Sequence, residues 1–284
     1  MNRLPAAKRT AVVAALVEGV SVRATCRLTG VSKPTVLKLL ADVGSAVAKF
    51  QDETLRNLRC RNLQCDEIWS FCYAKERHVT PKIREKNQAA GDVWTWTAID
   101  RDSKLCIAWL VADRSAGSAW TFMQDVAARL KHRIQLTTDG YKPYLEAVED
   151  AFGSGIDYAM LVKLYGSDPE SEKRYSPAKC IGTVVETISG DPDAANICTS
   201  HVERQNLTMR MSMRRFTRLT NAFSRKIENH AAAVALHFMH YNFVRIHETL
   251  RVTPAMAAGI TDRVWDIDDI VRLLEQAERN PLAA

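Results

Sequence analysis

No stretch of this chain is apolar over the ~18 residues that a membrane-spanning helix needs. Lys8 and Arg9 precede only a short Ala/Val stretch with no cleavage region, so a cytoplasmic location is expected. Cysteine is sparse. The seven residues, at positions 26, 60, 65, 72, 106, 180 and 198, are odd in number and scattered, which excludes the dense disulfide framework of small secreted domains and predicts reduced thiols. Only Cys60, Cys65 and Cys72 cluster, and their gaps of five and seven residues do not make the C-x2-C pairs of a structural zinc site. There is no internal repeat and no low-complexity segment.

What remains is ordinary globular composition. Hydrophobic residues make up 46% of the 284 and charged ones 25%, which excludes a disordered or fibrous chain. At about 150 residues per domain, the length suits one catalytic core with an accessory module. The net charge of +6 suits a polyanionic partner without naming one.

The first fifty residues read as helices only. Lys8 to Val17 is apolar at helical spacing, Gly19 breaks it, and Ser21 caps a short helix over Val22 to Leu28. Gly30-Val31 makes a tight turn before Ser32 and Pro34 open a third helix, Thr35 to Val43. This is the pattern of a helix-turn-helix, with Ala24, Val31, Val36 and Leu39 or Leu40 packing inside and Lys33, Thr35 and Lys38 facing a DNA groove. A plain helical hairpin with solvated lysines is the alternative.

Residues 51–61 are charged and interrupted, and read as a linker between an N-terminal module, 1–50, and a catalytic domain, 62–248. From there the period changes. Leu63–Tyr73, Val93–Asp100 and Lys104–Val111 read as consecutive antiparallel strands, with Lys75 to Lys86 a basic loop at a hairpin tip. Helix, strand, helix and strand follow over Ser118–Lys131, Ile134–Asp139, Tyr141–Phe152 and Tyr158–Tyr165. The fold class expected is α/β, a mixed sheet flanked by helices with an all-α N-terminal domain. Gly166 to Asn196 reads as an insertion or mobile loop with one short strand over Gly182–Ser189. A helical region, His201 to Val244 with a break near Thr220-Asn221, leads to a tail, 249–284, that ends in an amphipathic helix from Asp266.

Three acids invite chemistry. Asp66 lies inside the first strand, Asp139 ends the fourth, and Glu203 opens a helix. If the first and fourth strands are neighbours, the two aspartates are too. Converging carboxylates are what hard Mg²⁺ or Mn²⁺ ions prefer, and two such ions can serve an in-line phosphoryl transfer. Each acid also has a blander reading. Asp66 could be an edge-strand residue with Glu67 the inward one, Asp139-Gly140 a simple turn, and Glu203 the partner of Ser200 in a capping box.

The stretches Cys65-Asp66-Glu67-Ile68-Trp69-Ser70-Phe71, Thr138-Asp139-Gly140-Tyr141-Lys142-Pro143-Tyr144 and His201-Val202-Glu203-Arg204-Gln205-Asn206-Leu207-Thr208-Met209-Arg210 resemble, in order and in spacing, the three acidic motifs of the insertion-sequence-one family of bacterial transposases. The resemblance covers about residues 62 to 248. It implies a ribonuclease-H-like fold and a DDE mechanism, with Asp66, Asp139 and Glu203 as catalytic ligands of two Mg²⁺ or Mn²⁺ ions. The partners implied are transposon-end and target DNA, engaged by a homodimer or larger assembly. Members of that family often carry a cysteine-rich zinc finger ahead of the helix-turn-helix, and nothing before Cys26 here could form one.

Between Glu203 and Asn229 seven basic residues stand against two acids. Asn206, Arg210 and Arg214 follow Glu203 at helical steps and are expected on its face, as DNA-binding residues beside the metal. His230, His237 and His240 are expected to be packed or hydrogen-bonded rather than metal ligands, and Asp266, Asp268 and Asp269 to serve a helix dipole. Two other functions remain open: a DNA-binding regulator with a degenerate core, and a nuclease of the same fold without strand transfer.

Overall fold

A computed structural model describes residues 3–166, 180–217 and 221–279. Three helices open the chain, α1 (Ala6–Val17), α2 (Val22–Thr29) and α3 (Lys33–Thr54). The Ser21 hydroxyl accepts from the Ala24 N–H at the start of α2, and Gly30, at φ 69°, ends it in the left-handed conformation that glycine adopts without strain. Val31, Val36, Leu39 and Leu40 are buried as expected, whereas Ala24 is half-buried and Thr25 is the buried residue of α2.

α3, with 22 residues, is more than twice as long as its sequence pattern suggested. Its buried face continues through Val43, Gly44, Val47 and Gln51. The polar residues from Phe50 on, read as an interruption, lie on the other side or have partners. Gln51 Nε2 donates to the Ala235 carbonyl at 3.2 Å, and Asp52 accepts from Arg129 at 2.6 Å. The first four residues of the expected linker are therefore helical and anchored.

The sheet follows: β1 (Asn62–Cys72), α4 (Pro81–Lys86), β2 (Gly91–Asp100), β3 (Cys106–Ala112), α5 (Ala116–Arg129), β4 (Ile134–Thr138), α6 (Pro143–Phe152), β5 (Ile156–Tyr165) and β6 (Cys180–Ser189). α4 corrects the expected basic loop. Pro81 occupies the first turn, where its missing N–H costs nothing, and Thr80 caps it. β6 matches the strand expected over Gly182–Ser189 and begins two residues earlier, at Cys180, while residues 167–179 of the expected insertion lie outside the described residues.

Six strands pair in the order β3-β2-β1-β4-β5-β6. β1, β2 and β3 are mutually antiparallel, β4 and β5 run parallel to β1, and β6 is antiparallel to β5. β1 is thus central and carries few exposed residues, because helices cover both of its faces. The arrangement is consistent with a ribonuclease-H-like sheet.

The chain closes with α7 (Ser200–Ser212), α8 (Ile227–Met239), α9 (Pro254–Ala257) and α10 (Ile267–Arg279). α5 and α6 cover one sheet face, with Trp96 packed on Phe122 and Tyr144. α7 and α8 cover the other, where Ile68, Met209, Phe216, Val234 and Phe238 form a second core. α10 buries Ile270, Val271 and Leu274, and Arg9 of α1 bonds Glu278 at 3.1 Å. Among the described residues, no helix is long and apolar enough to cross a membrane.

Candidate active site

The last parallel pair between β1 and β4 is Cys65 with Thr138. The next residue on each strand is an acid, so Asp66 and Asp139 leave the ladder side by side at the C-terminal end of β4. Asp139 also does what its dipeptide suggested, since its Oδ1 accepts from the Tyr141 N–H at 3.0 Å in a turn. Gly140 leaves room there for Val162, whose Cγ2 a Cβ would meet at 2.9 Å.

Glu203 reaches the same place from α7. Gln64, two residues before Asp66 on the same face of β1, is buried, and its Oε1 accepts from the His201 and Val202 N–H groups at 2.9 and 3.1 Å. The side chain of a strand residue thus satisfies two of the free donors at the start of α7 and docks the helix on the sheet. The N-cap position falls on Thr199, not Ser200, so the capping-box reading of Glu203 does not hold. The Glu203 carboxylate accepts instead from the Thr199 hydroxyl at 2.5 Å and, through both oxygens, from Lys163 Nζ.

One turn further along α7, Asn206 Nδ2 donates to Asp66 Oδ2 at 2.8 Å, and the Glu67 N–H donates to Oδ1 at 2.8 Å. Neither donor is a cation. Burial, then repulsion from Glu67 and Asp139, pushes the Asp66 carboxyl up to about 7, with a smaller push from Glu203.

Glu67 takes the opposite face of β1 and the opposite solution. Arg114 Nε donates to it at 2.6 Å and the Tyr144 hydroxyl at 3.0 Å, while the Arg114 guanidinium lies 4.1 Å from the Tyr141 ring centre. Burial, then repulsion from Asp139, raises the Glu67 carboxyl, and Arg114 opposes this. All four acids border one open cleft of about 700 Å³, together with Arg114, Lys163, Asn206 and Arg210.

The donors are carboxylate oxygens of the kind that hard divalent ions take. The buried Asn206 Oδ1 beside Asp66 has no hydrogen-bond donor among the described residues. The chemistry of the set therefore fits Mg²⁺ or Mn²⁺. As they stand, no three His, Cys, Asp or Glu residues among those described are gathered closely enough to hold an ion, and Glu203 is engaged by Lys163.

No family model and no curated protein matches the chain. Among solved structures, the cryo-EM structure of a piggyBac transposase synaptic complex with hairpin DNA aligns over 98% of this chain and 72% of that one. The sequence identity is 11% and the TM-score 0.39.

The remaining candidates divide. Asn206 and Arg210 border the cleft with Glu203. Arg214 does not, because α7 stops at Ser212, Met213 is extended and Arg214 starts a separate turn. Arg218 and Thr220 lie outside the described residues. Lys33 and Lys38 are exposed and Thr35 half-exposed at the start of α3. None of the three borders the cleft, and Lys38 pairs with Asp42 at 2.5 Å.

His230 is buried between the Ser70 and Ser224 hydroxyls at 3.2 Å each, and burial holds it down to about 3, so it is a packed neutral imidazole. His237 is buried and lowered likewise. Asp266 caps α10 by accepting from the Asp269 N–H at 2.8 Å. All seven cysteines are free thiols. Sequence reasoning missed Lys163, Arg114 and Gln64. Only the doubled acid at Asp66-Glu67, one of which has to be neutralised if both are buried, hinted at Arg114.

Proposed function

We propose that this chain is a transposase that cleaves the 3′ ends of an insertion element and joins them to target DNA. The observation that carries the reading is the β1–β4 register, which brings Asp66 and Asp139 together at the mouth of a cleft that Glu203 and Arg210 also border. The assignment to insertion elements follows from the resemblance of the three acidic stretches to the insertion-sequence-one family.

Asp66, Asp139 and Glu203 would hold two Mg²⁺ or Mn²⁺ ions, which supply activation of the attacking oxygen and stabilisation of the leaving one. Asn206 orients Asp66 through its amide, and Arg210 offers charge to the phosphodiester. In the first step the oxygen of water attacks phosphorus and the 3′ oxygen leaves as the new 3′-OH. In the second, that 3′-OH attacks a target phosphodiester, whose own 3′ oxygen leaves. The helices α1 to α3 serve as a helix-turn-helix on the element's ends through Lys33, Thr35 and Lys38. Holding two ends together calls for a homodimer or larger assembly, acting on DNA in the cytoplasm.

Asp66→Asn, Asp139→Asn and Glu203→Gln are each expected to lower Mg²⁺-dependent cleavage of an end-bearing duplex by at least ~10³-fold while gel-shift affinity for DNA is retained. Retained cleavage in all three variants overturns the reading. Cleavage without any joining of the 3′-OH would make the protein a nuclease.

A further inference from the structure

Lys163 lies on β5 three residues beyond Met160, the last residue paired with β4. Because β5 outruns β4, this part of the strand is paired with β6 along one edge and borders the open cleft along the other. The ammonium contacts both oxygens of Glu203, and its side chain remains 29% exposed. The Thr199 hydroxyl takes up a further lone pair of the same carboxylate. Glu203 therefore has an internal cation, whereas among the described residues the donors to Asp66 are an amide and a backbone N–H.

A carboxylate whose two oxygens face one ammonium presents the same lone pairs that an ion would use, and a divalent ion in that place would repel the ammonium. The two cations exclude each other. The lysine stem is long and flexible, and the nearest use for a displaced ammonium, in a cleft that Arg210 also borders, is an anionic oxygen of substrate.

We infer that Lys163 is the resident counter-ion of Glu203, that it competes with a divalent cation for that carboxylate, and that on displacement it binds a phosphate of the DNA in the cleft. This rests on the proposed role of Glu203 as a ligand. Linkage then follows. DNA that draws Lys163 away frees Glu203, so DNA and the divalent ion each raise the affinity for the other.

The test is Mn²⁺ titration of the full-length chain, read by the loss of the free-ion paramagnetic resonance signal, with and without a short duplex. In the wild type the duplex is expected to tighten Mn²⁺ binding by ~5-fold or more. In Lys163→Met, binding without DNA is expected to be already tighter than wild type by a similar factor, and the duplex to add little. Lys163→Gln, smaller and polar, guards against misfolding of the first variant and is expected to behave alike. Mn²⁺ binding in both variants that is no tighter than wild type, while Glu203→Gln weakens it, overturns the role of Lys163 alone. If Glu203→Gln binds Mn²⁺ as the wild type does, Glu203 is no ligand, and both this inference and the proposed triad fail.

Discussion

Asp66 is held in a place that does not suit its charge. Its carboxyl stands at about 7 in the folded chain, raised first by burial and then by Glu67 and Asp139, against ~3.9 for an unfolded aspartate. Between those values the folded state keeps a proton that the unfolded state has lost. Stability therefore falls as pH rises through that window, and the loss is complete above about pH 7. Asp66→Asn removes the charge and keeps the shape. With chelator present it is expected to stabilise the fold by ~1–3 kcal/mol at pH 8, a gain that disappears near pH 4. Urea denaturation of both proteins at the two pH values checks this, and an unchanged midpoint at pH 8 would mean that Asp66 carries no such strain. Such a cost is common where a carboxylate is kept for function rather than for packing.

At the scale of elements, the crossing of α3 on α8 decides how the helical and sheet parts meet. Gly44 is where they touch. A Cβ there would stand 2.4 Å from the Ala232 Cβ and 2.8 Å from its carbonyl oxygen, so the two helices approach as closely as backbone allows. Gly44→Ala, which in an exposed helix would be favourable, is expected here to cost ~1–3 kcal/mol through displacement of α3. A raised melting temperature for that variant would contradict the crossing. Nothing in the spacing of apolar residues announced this contact, since a lone glycine in a helical run reads equally as a weak point or as a packing notch. The end of α7 is a second case. The run of arginines after Met209 looked like one continuous helical face, and the extended backbone at Met213 takes Arg214 off it.

Across the whole molecule, one contiguous core runs from Val12 and Val13 of α1 through Val43 and Val47 of α3 to Leu63, Trp96 and Leu136 of the sheet. Leu236, Met239 and Phe243 join the two parts. A fragment of residues 62–248 would strip α3 from α8 and expose Ala235, Leu236 and Met239. It is expected to be insoluble, or to lack the near-ultraviolet dichroism of fixed tertiary packing. A soluble fragment with a cooperative melt would show that the sheet domain stands alone. By contrast, β6 is exposed along most of its length, with Ile181, Val184, Val185 and Ile188 at the sheet edge.

Much of this was legible residue by residue. The stretches of β1, β2 and β3 rich in Trp, Ile, Phe, Cys and Val, the cap at Ser21, the turn at Gly30 and the apolar stripe of α10 are local devices, set by backbone sterics and nearest neighbours, and they stand close to where the sequence placed them. So do Asp66 and Asp139 as neighbours, because a chain that returns through two hairpin strands and a helix has few places to lay its fourth strand. The partners of the acids were another matter. Gln64, Arg114 and Lys163 carry no pattern of their own; each is one polar residue in a strand or a loop, and its role comes from what a distant segment brings within hydrogen-bonding range. Only tertiary structure decided that Glu67 would be neutralised by Arg114, that Glu203 would face Lys163, and that the donors to Asp66 among the described residues would be an amide and a backbone N–H. Those three outcomes depend on burial and on side-chain contacts between residues 40 to 140 positions apart, such as the ion pair of Lys163 with Glu203 and the hydrogen bond of Asn206 to Asp66. Periodicity along a chain carries no information about separations of that size.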